Sequence, residues 1–95
     1  MSQLDHRVAG LRARTSARVR TGREAAGFSQ EDTATHLRMS TSAYRAKERG
    51  TSAFSVEQIH LLELFFCLEE ADLYRAEGPL RVQPRRISDG AGARP

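Results

Sequence analysis

The chain of 95 residues has no tryptophan, one cysteine and no apolar run that approaches the ~20 residues needed to span a bilayer. Cys67 cannot form an internal disulfide, and with only three histidines beside it there is no ligand group at zinc spacing. We therefore expect no metal and no other cofactor. Residues 1–10 lack the continuous apolar stretch of a secretory signal, so we expect a cytoplasmic protein with no membrane partner.

The sequence also lacks a recognisable group of catalytic residues. The spacing suggests no Ser/His/Asp or Cys/His group, and no glycine-rich loop of the phosphate-binding type occurs. Hydrophobic residues make up 39% of the chain and charged residues 28%, the balance of a folded globular protein, and the length allows one small domain. The sequence therefore predicts a small globular domain that is not an enzyme.

Charge is unevenly distributed along the chain. Residues 1–28 hold six basic and two acidic residues, residues 29–78 hold five basic and nine acidic residues, and residues 79–95 hold four basic residues and one acidic residue. An acidic middle between basic ends is expected where the ends meet a polyanion such as nucleic acid. A solvated, arginine-rich surface is the alternative interpretation.

Apolar periodicity and N-cap residues predict helices along most of the chain. A first helix is expected over about residues 12–26, with residues 1–11 either extending it or forming a separate basic arm. Ser29 caps a second short helix, in which Asp32 stands where a capping box has Glu or Gln.

The remaining pattern predicts two further helices, a short last one and a tail. These helices are expected from Ser40 or Thr41 to Gly50, from the capping box at Ser55 to about Leu68, and from about Asp72 to a stop at Gly78-Pro79. Because Pro, Gly and Arg dominate residues 79–95, we expect a flexible basic tail there, after a domain of residues 12–78. The expected fold class is all-α with about five helices.

The segment from Ser29 to Gly50 has the order of a helix-turn-helix: a capped short helix, a tight turn, a second short helix and a glycine. Over about residues 15–75 the chain resembles the Cro/CI/Xre family of phage and bacterial repressors. The residues that carry this resemblance, in register without a gap, are Arg23, Ala26-Gly27-Phe28, Ser29-Gln30, Ala34, Leu37, Ser40, Tyr44, Glu48-Arg49-Gly50, Ser55-Val56-Glu57, Ile59, Leu62 and Leu73. The resemblance implies a compact five-helix domain of the phage-repressor type.

The chain departs from the family pattern at four positions. Gly22, Thr33 and Lys47 stand where an apolar residue is usual, and Arg38 replaces the usual turn glycine. We therefore expect a thinner core around the first three helices. The larger side chains expected to offset it are Phe28, Met39, Tyr44 and Phe66.

The third helix is the expected DNA-reading element. On a helix over residues 41–49, Tyr44 faces inward, whereas Ser42, Arg45 and Arg49 share another face. Arg45 is the expected chief base-reading residue, because arginine bound to guanine O6 and N7 is the commonest specific base contact. A solvated surface arginine is the alternative. The expected base contacts together are Thr41, Ser42, Arg45 and Ala46.

Contacts with the DNA backbone are expected from residues around the same helix. The resemblance implies that Gln30 contacts the DNA backbone at the start of the second helix, where free N–H groups attract phosphate. The other expected backbone contacts are Lys47, Arg49, Thr51, Ser52 and Arg20. Arg23 and Glu48 match a family pair, which we interpret as a salt bridge that holds the recognition helix at its angle.

A homodimer is expected, because one such module reads too few base pairs for specificity and repressors of this kind bind inverted half-sites ~34 Å apart. The fourth helix is apolar nearly all round. We predict that Leu61, Leu64, Phe65 and Leu68 form the dimer contact. Burial of that face under the N-terminal extension or the tail is the alternative.

Together these features predict a sequence-specific regulator of transcription that binds double-stranded DNA, most simply a repressor that occupies promoter DNA. The N-terminal arginines either reach the DNA backbone or minor groove or only keep the protein soluble. The alternative function is that of an antitoxin, which would bind a toxin or other protein partner through the basic tail or the exposed Leu/Phe face.

Overall fold

The structure, a computed structural model, describes residues 3–75 and 78–82. Its elements are α1 (Gln3–Ala26), α2 (Gln30–His36), α3 (Thr41–Glu48), α4 (Val56–Phe65) and a 3-10 turn (Asp72–Tyr74). Because no β-strand occurs within these residues, the all-α class expected from the sequence is confirmed. None of the helices described is long and apolar enough to cross a membrane.

The structure decides between the two alternatives for the N-terminal residues, and it shortens the expected last helix. α1 begins at Gln3, so residues 3–11 extend the first helix by more than two turns and do not form a separate arm. The fifth helix is a single 3-10 turn of three residues. The short last element is preceded by Ala71 at φ 65°, a left-handed conformation that does not continue a helix.

Serine side chains begin the three short helices where the sequence predicts. The Oγ atoms of Ser29, Ser40 and Ser55 each accept a hydrogen bond from a backbone N–H of the first turn. At α2 the Asp32 carboxylate also accepts from the Ser29 backbone N–H at 3.3 Å, so a residue one methylene shorter than Glu still completes a capping box. Such caps stabilise a helix by about 1 kcal/mol each.

Arg38 forms the turn between α2 and α3 in a left-handed conformation, with φ at 58°. The backbone N–H of Met39 donates to Ala34 O at 3.0 Å, which closes the end of α2. A glycine would take this conformation with less strain, since a β-carbon disfavours positive φ. The tight turn is therefore formed in spite of the missing glycine.

The apolar core lies between the four helices and the chain after α4. Its buried side chains are Val19, Ala34, Leu37, Tyr44, Ile59, Leu62, Phe66, Leu68 and Leu73, with Phe28, Met39, Phe54, Phe65 and Leu80 packed against them. At Gly22 a β-carbon would lie 3.1 Å from Phe66 Cδ2 and 3.4 Å from Leu80 Cδ1. The aromatic ring and Leu80 therefore fill the space that an apolar side chain at position 22 would need.

Residues 78–82, which we call the strap, cross back over the end of α4. Leu68 and Val82 form an isolated antiparallel bridge, and Glu69 N–H donates to Arg81 O at 3.0 Å. The prediction of a flexible tail from residue 79 is therefore wrong for residues 79–82; residues 83–95 lie outside the described part of the chain.

The buried carboxylate of Asp72 holds the strap. It accepts from the Arg81 backbone N–H and from Arg75 Nε, both at 2.5 Å, and Arg18 Nη2 lies 3.6 Å away. Burial alone would raise the pKa of Asp72, but the hydrogen bonds from Arg81 and Arg75 outweigh burial and lower it. The strap is thus fixed through a charged group in the interior.

A larger residue at position 22 tests whether Phe66 and Leu80 of the strap fill the space beside Gly22. We expect Gly22→Leu to lower the free energy of unfolding by ~1–3 kcal/mol, because the new side chain overpacks the core. Ala17→Leu, on an exposed position of the same helix, should change it by less than ~0.5 kcal/mol. Urea unfolding measures both, and a Gly22→Leu variant more stable than the natural chain would show that the space is unfilled.

Candidate nucleic-acid interface

Helix α3 presents one face to the interior and another to solvent. Tyr44 is fully buried and Glu48 is buried one turn later, which fixes the rotation of the helix about its axis. Ser42, Arg45 and Arg49 are exposed on the opposite side. The other two predicted base contacts, Thr41 and Ala46, are half-buried at the edges of this face.

The carboxylate of Glu48 joins α3 to the first two helices. Arg23 of α1 donates to it from Nε at 2.8 Å and from Nη2 at 3.0 Å, a bidentate pair. Gln30 Nε2 of α2 donates at 3.0 Å and the Tyr44 hydroxyl donates at 2.5 Å. The predicted Arg23–Glu48 pair is present, and two further donors complete the set around the carboxylate.

The same contacts shift the pKa values of their members. Burial alone would raise the pKa of Glu48, but the hydrogen bonds from Arg23, Tyr44 and Gln30 outweigh burial and lower it. Burial and the hydrogen bond to Glu48 raise the pKa of the Tyr44 hydroxyl. Glu48 is therefore ionised and Tyr44 neutral at physiological pH, which is the state that these hydrogen bonds require.

Gln30 connects this buried cluster to the exposed face of α3. Its Oε1 accepts from Arg45 Nε at 3.0 Å, while its Nε2 donates to Glu48. The amide therefore has a defined orientation, with its oxygen toward the guanidinium and its nitrogen toward the carboxylate. The structure gives Gln30 these protein partners, whereas the sequence suggested a contact with DNA phosphate. The spacing of residues along the chain does not predict the contacts of Gln30 with Glu48 and Arg45.

A shallow cleft rich in arginine lies beside the cluster, between α1 and the ends of α2 and α3. Its lining residues are Arg20, Arg23, Glu24, Gln30, Glu48 and Arg49. Arg20 and Arg49 are exposed there, whereas Arg23 is engaged by Glu48 and by Phe28 O. The two exposed guanidinium groups thus flank the outward face of α3, the position expected for backbone contacts.

The other predicted backbone contacts fall after α3. Lys47 Nζ donates to Ala53 O at 2.7 Å, so its ammonium holds the loop before α4. Thr51 is exposed and Ser52 half-buried in that loop. Thr51 and Ser52 thus lie after the last residues of α3, the first at the surface and the second partly covered.

The four predicted dimer residues differ in their exposure. Leu61 and Leu64 are 38% and 62% exposed on the outer face of α4. Leu68 is only 4% exposed and belongs to the core, so its assignment to the dimer contact is wrong. Phe65 is half-buried and stacks between two other rings, those of Phe28 and His36. The apolar face available to a partner is therefore smaller than predicted.

Comparisons with known protein families, with curated proteins and with solved structures found no match to this chain. Within residues 3–75 and 78–82, no group of three His, Cys, Asp or Glu side chains lies close enough together to hold a metal ion. The arrangement around α3 therefore has to be interpreted from its own geometry.

Replacing the central carboxylate tests its role in stability. At pH 7, Glu48→Gln is expected to lower the free energy of unfolding by about 3 kcal/mol, because Arg23 is left without its buried counter-charge. Glu70→Gln, at an exposed position, should change it by less than ~0.5 kcal/mol.

The lowered pKa sets the direction of the pH dependence. The stability that Glu48 contributes is complete above its ordinary pKa of 4.5 and is lost as the pH falls through its lower folded value. Urea unfolding should therefore show that the natural chain and Glu48→Gln differ less in free energy of unfolding as the pH falls below 4.5. The same difference at pH 3 and pH 7 would contradict an ionised Glu48 in the folded state.

Proposed function

We propose that this chain is a sequence-specific DNA-binding regulator of transcription, in which α3 enters the major groove of double-stranded DNA. The observation that carries the proposal is the outward face of α3, where Ser42, Arg45 and Arg49 are exposed and Gln30 orients Arg45. Two short capped helices joined by a tight turn precede this face, the order of a helix-turn-helix.

The geometry of Arg45 suits base recognition. Its Nε is bonded to Gln30, and within the described residues no protein acceptor is bonded to its two terminal nitrogens. Those nitrogens provide the parallel N–H pair that binds guanine O6 and N7 end-on. Because Gln30 already restrains the side chain, less conformational entropy is lost when it meets a base. Ser42 and the half-buried Thr41 and Ala46 complete the base-reading set.

Positive charges beside the outward face of α3 could contact the phosphates of the DNA backbone. Arg20 and Arg49 lie in the cleft beside α3, and Thr51 follows it at the surface. Such groups position a protein on the duplex and carry no sequence information themselves. Arg23 and Glu48 have a different role, since their pair holds α1 against α3 and so sets the angle of the recognition helix.

A repressor of the Cro/CI/Xre type is the form of regulator that we propose. The resemblance of residues 15–75 supports it, together with a five-element domain in which the last element is a 3-10 turn. A cytoplasmic homodimer on inverted half-sites would exclude polymerase by occupying the promoter. Leu61 and Leu64 are the residues that we assign to the dimer contact, since both are apolar and exposed on α4.

Selection of bound DNA from a random pool tests the reading role of Arg45. The natural chain should recover two related half-sites, and Arg45→Ala should relax the preference at one base pair of each, with a loss of ~1–3 kcal/mol there. Arg49→Ala is the matched variant: it should weaken binding to all sequences about equally. Uniform weakening by Arg45→Ala would make Arg45 a phosphate contact, and recovery of no common sequence would overturn the proposal.

Light scattering tests the dimer contact. Leu64→Glu should convert the dimer to a monomer, because it places a charge at the centre of the apolar contact. Gln58→Glu, a half-buried position elsewhere on α4, should leave the dimer intact. A Leu64→Glu chain that still has the mass of a dimer would remove Leu64 from the contact.

A further inference from the structure

The first half of α1 projects beyond the domain with an uncovered apolar stripe. Leu4, Val8 and Leu11 are 68%, 48% and 42% exposed, and their spacing of four and three residues continues to Thr15, where α1 becomes buried. This is the spacing by which one helix packs along another. Among the described residues, the side of α1 that packs on the domain is therefore only partly covered at Leu4, Val8 and Leu11.

A groove lies at the base of this projecting half. It is lined by Val8, Leu11, Arg12 and Thr15 of α1, by Phe54 before α4 and by Tyr74 of the 3-10 turn. Its surface is mostly apolar, and it continues the stripe toward the domain. Stripe and groove together form one surface, which we call the α1 surface.

Cations border the α1 surface. Residues 3–14 carry three arginines, Arg7, Arg12 and Arg14, against a single aspartate. Arg12 lines the groove, and its Nε is buried with no hydrogen-bond acceptor in the described structure. A buried donor of this kind is stabilised when a carboxylate reaches it.

We infer that the α1 surface is a docking site for an acidic amphipathic helix of a protein partner. Apolar residues at helical spacing on the partner would cover Leu4, Val8 and Leu11, and flanking carboxylates would face the arginines. A second copy of this chain fits less well, because it would bring the same excess of arginine. DNA fits less well too, because phosphate contacts leave the stripe uncovered. The inference does not depend on the proposed DNA binding.

The test uses the full chain and a synthetic helical peptide with leucine at the a and d positions and glutamate at the e and g positions. A control peptide has lysine in place of each glutamate. Fluorescence anisotropy should show saturable binding of the acidic peptide, and binding at least tenfold weaker for the lysine peptide. Equal binding of both peptides, or no binding of either, would overturn the inference.

Variants locate the binding. Val8→Asp and Arg12→Ala should each weaken binding of the acidic peptide, Val8→Asp by tenfold or more. The matched control is Val82→Asp, another exposed apolar residue, which should leave binding unchanged. Circular dichroism reports whether each variant is folded, and a folded Val8→Asp chain that binds the peptide as well as the natural chain would overturn the inference.

Two other occupants would give different results, and each would overturn the inference. Light scattering that shows a dimer dissociated by Val8→Asp would assign the surface to a second copy. Sedimentation with phosphatidylserine vesicles that is lost in Val8→Asp would assign it to a membrane. Arg45→Ala should keep full peptide binding and Val8→Asp full DNA binding, so failure of one proposal is distinguishable from failure of the other.

Discussion

One buried carboxylate holds the three N-terminal helices together. Glu48 accepts four hydrogen bonds, from Arg23 of α1, Gln30 of α2 and Tyr44 of α3. An ionised carboxylate in the interior costs several kcal/mol unless its lone pairs are satisfied. The folded arrangement is the one that satisfies them, so the mutual positions of these helices are set by directional contacts as well as by apolar packing.

The outward face of α3 follows from that constraint. Tyr44 and Glu48 lie one turn apart and both point inward, so α3 cannot rotate about its axis without breaking the contacts of Glu48. Arg45 is thereby directed outward, and Gln30 restrains its guanidinium through the same cluster. A buried ion pair alone adds little to stability compared with apolar packing, but it specifies orientation. A defined orientation is what the proposed base-reading role of Arg45 requires.

Local features of this fold could be predicted from the sequence because they depend on neighbouring residues: the serine caps, the inward side of α3 and the order of short helices. Contacts between distant residues could not. Gln30 and Arg45 are 15 positions apart, and the hold of Asp72 on residues 78–82 depends on a chain reversal that no periodic pattern marks. Leu68 was assigned to the surface because apolar spacing does not tell which of two apolar faces the following chain covers.

The most direct test of the Glu48-centred arrangement is an NMR titration of the full chain with a duplex that it selects, following the Nε–Hε signals of its arginines. Those of Arg45 and Arg49 should shift on binding. The Arg23 signal should stay in place, because its partner is internal. Shifts confined to Arg7 and Arg14 of the projecting half of α1, with Arg45 unchanged, would contradict recognition through α3.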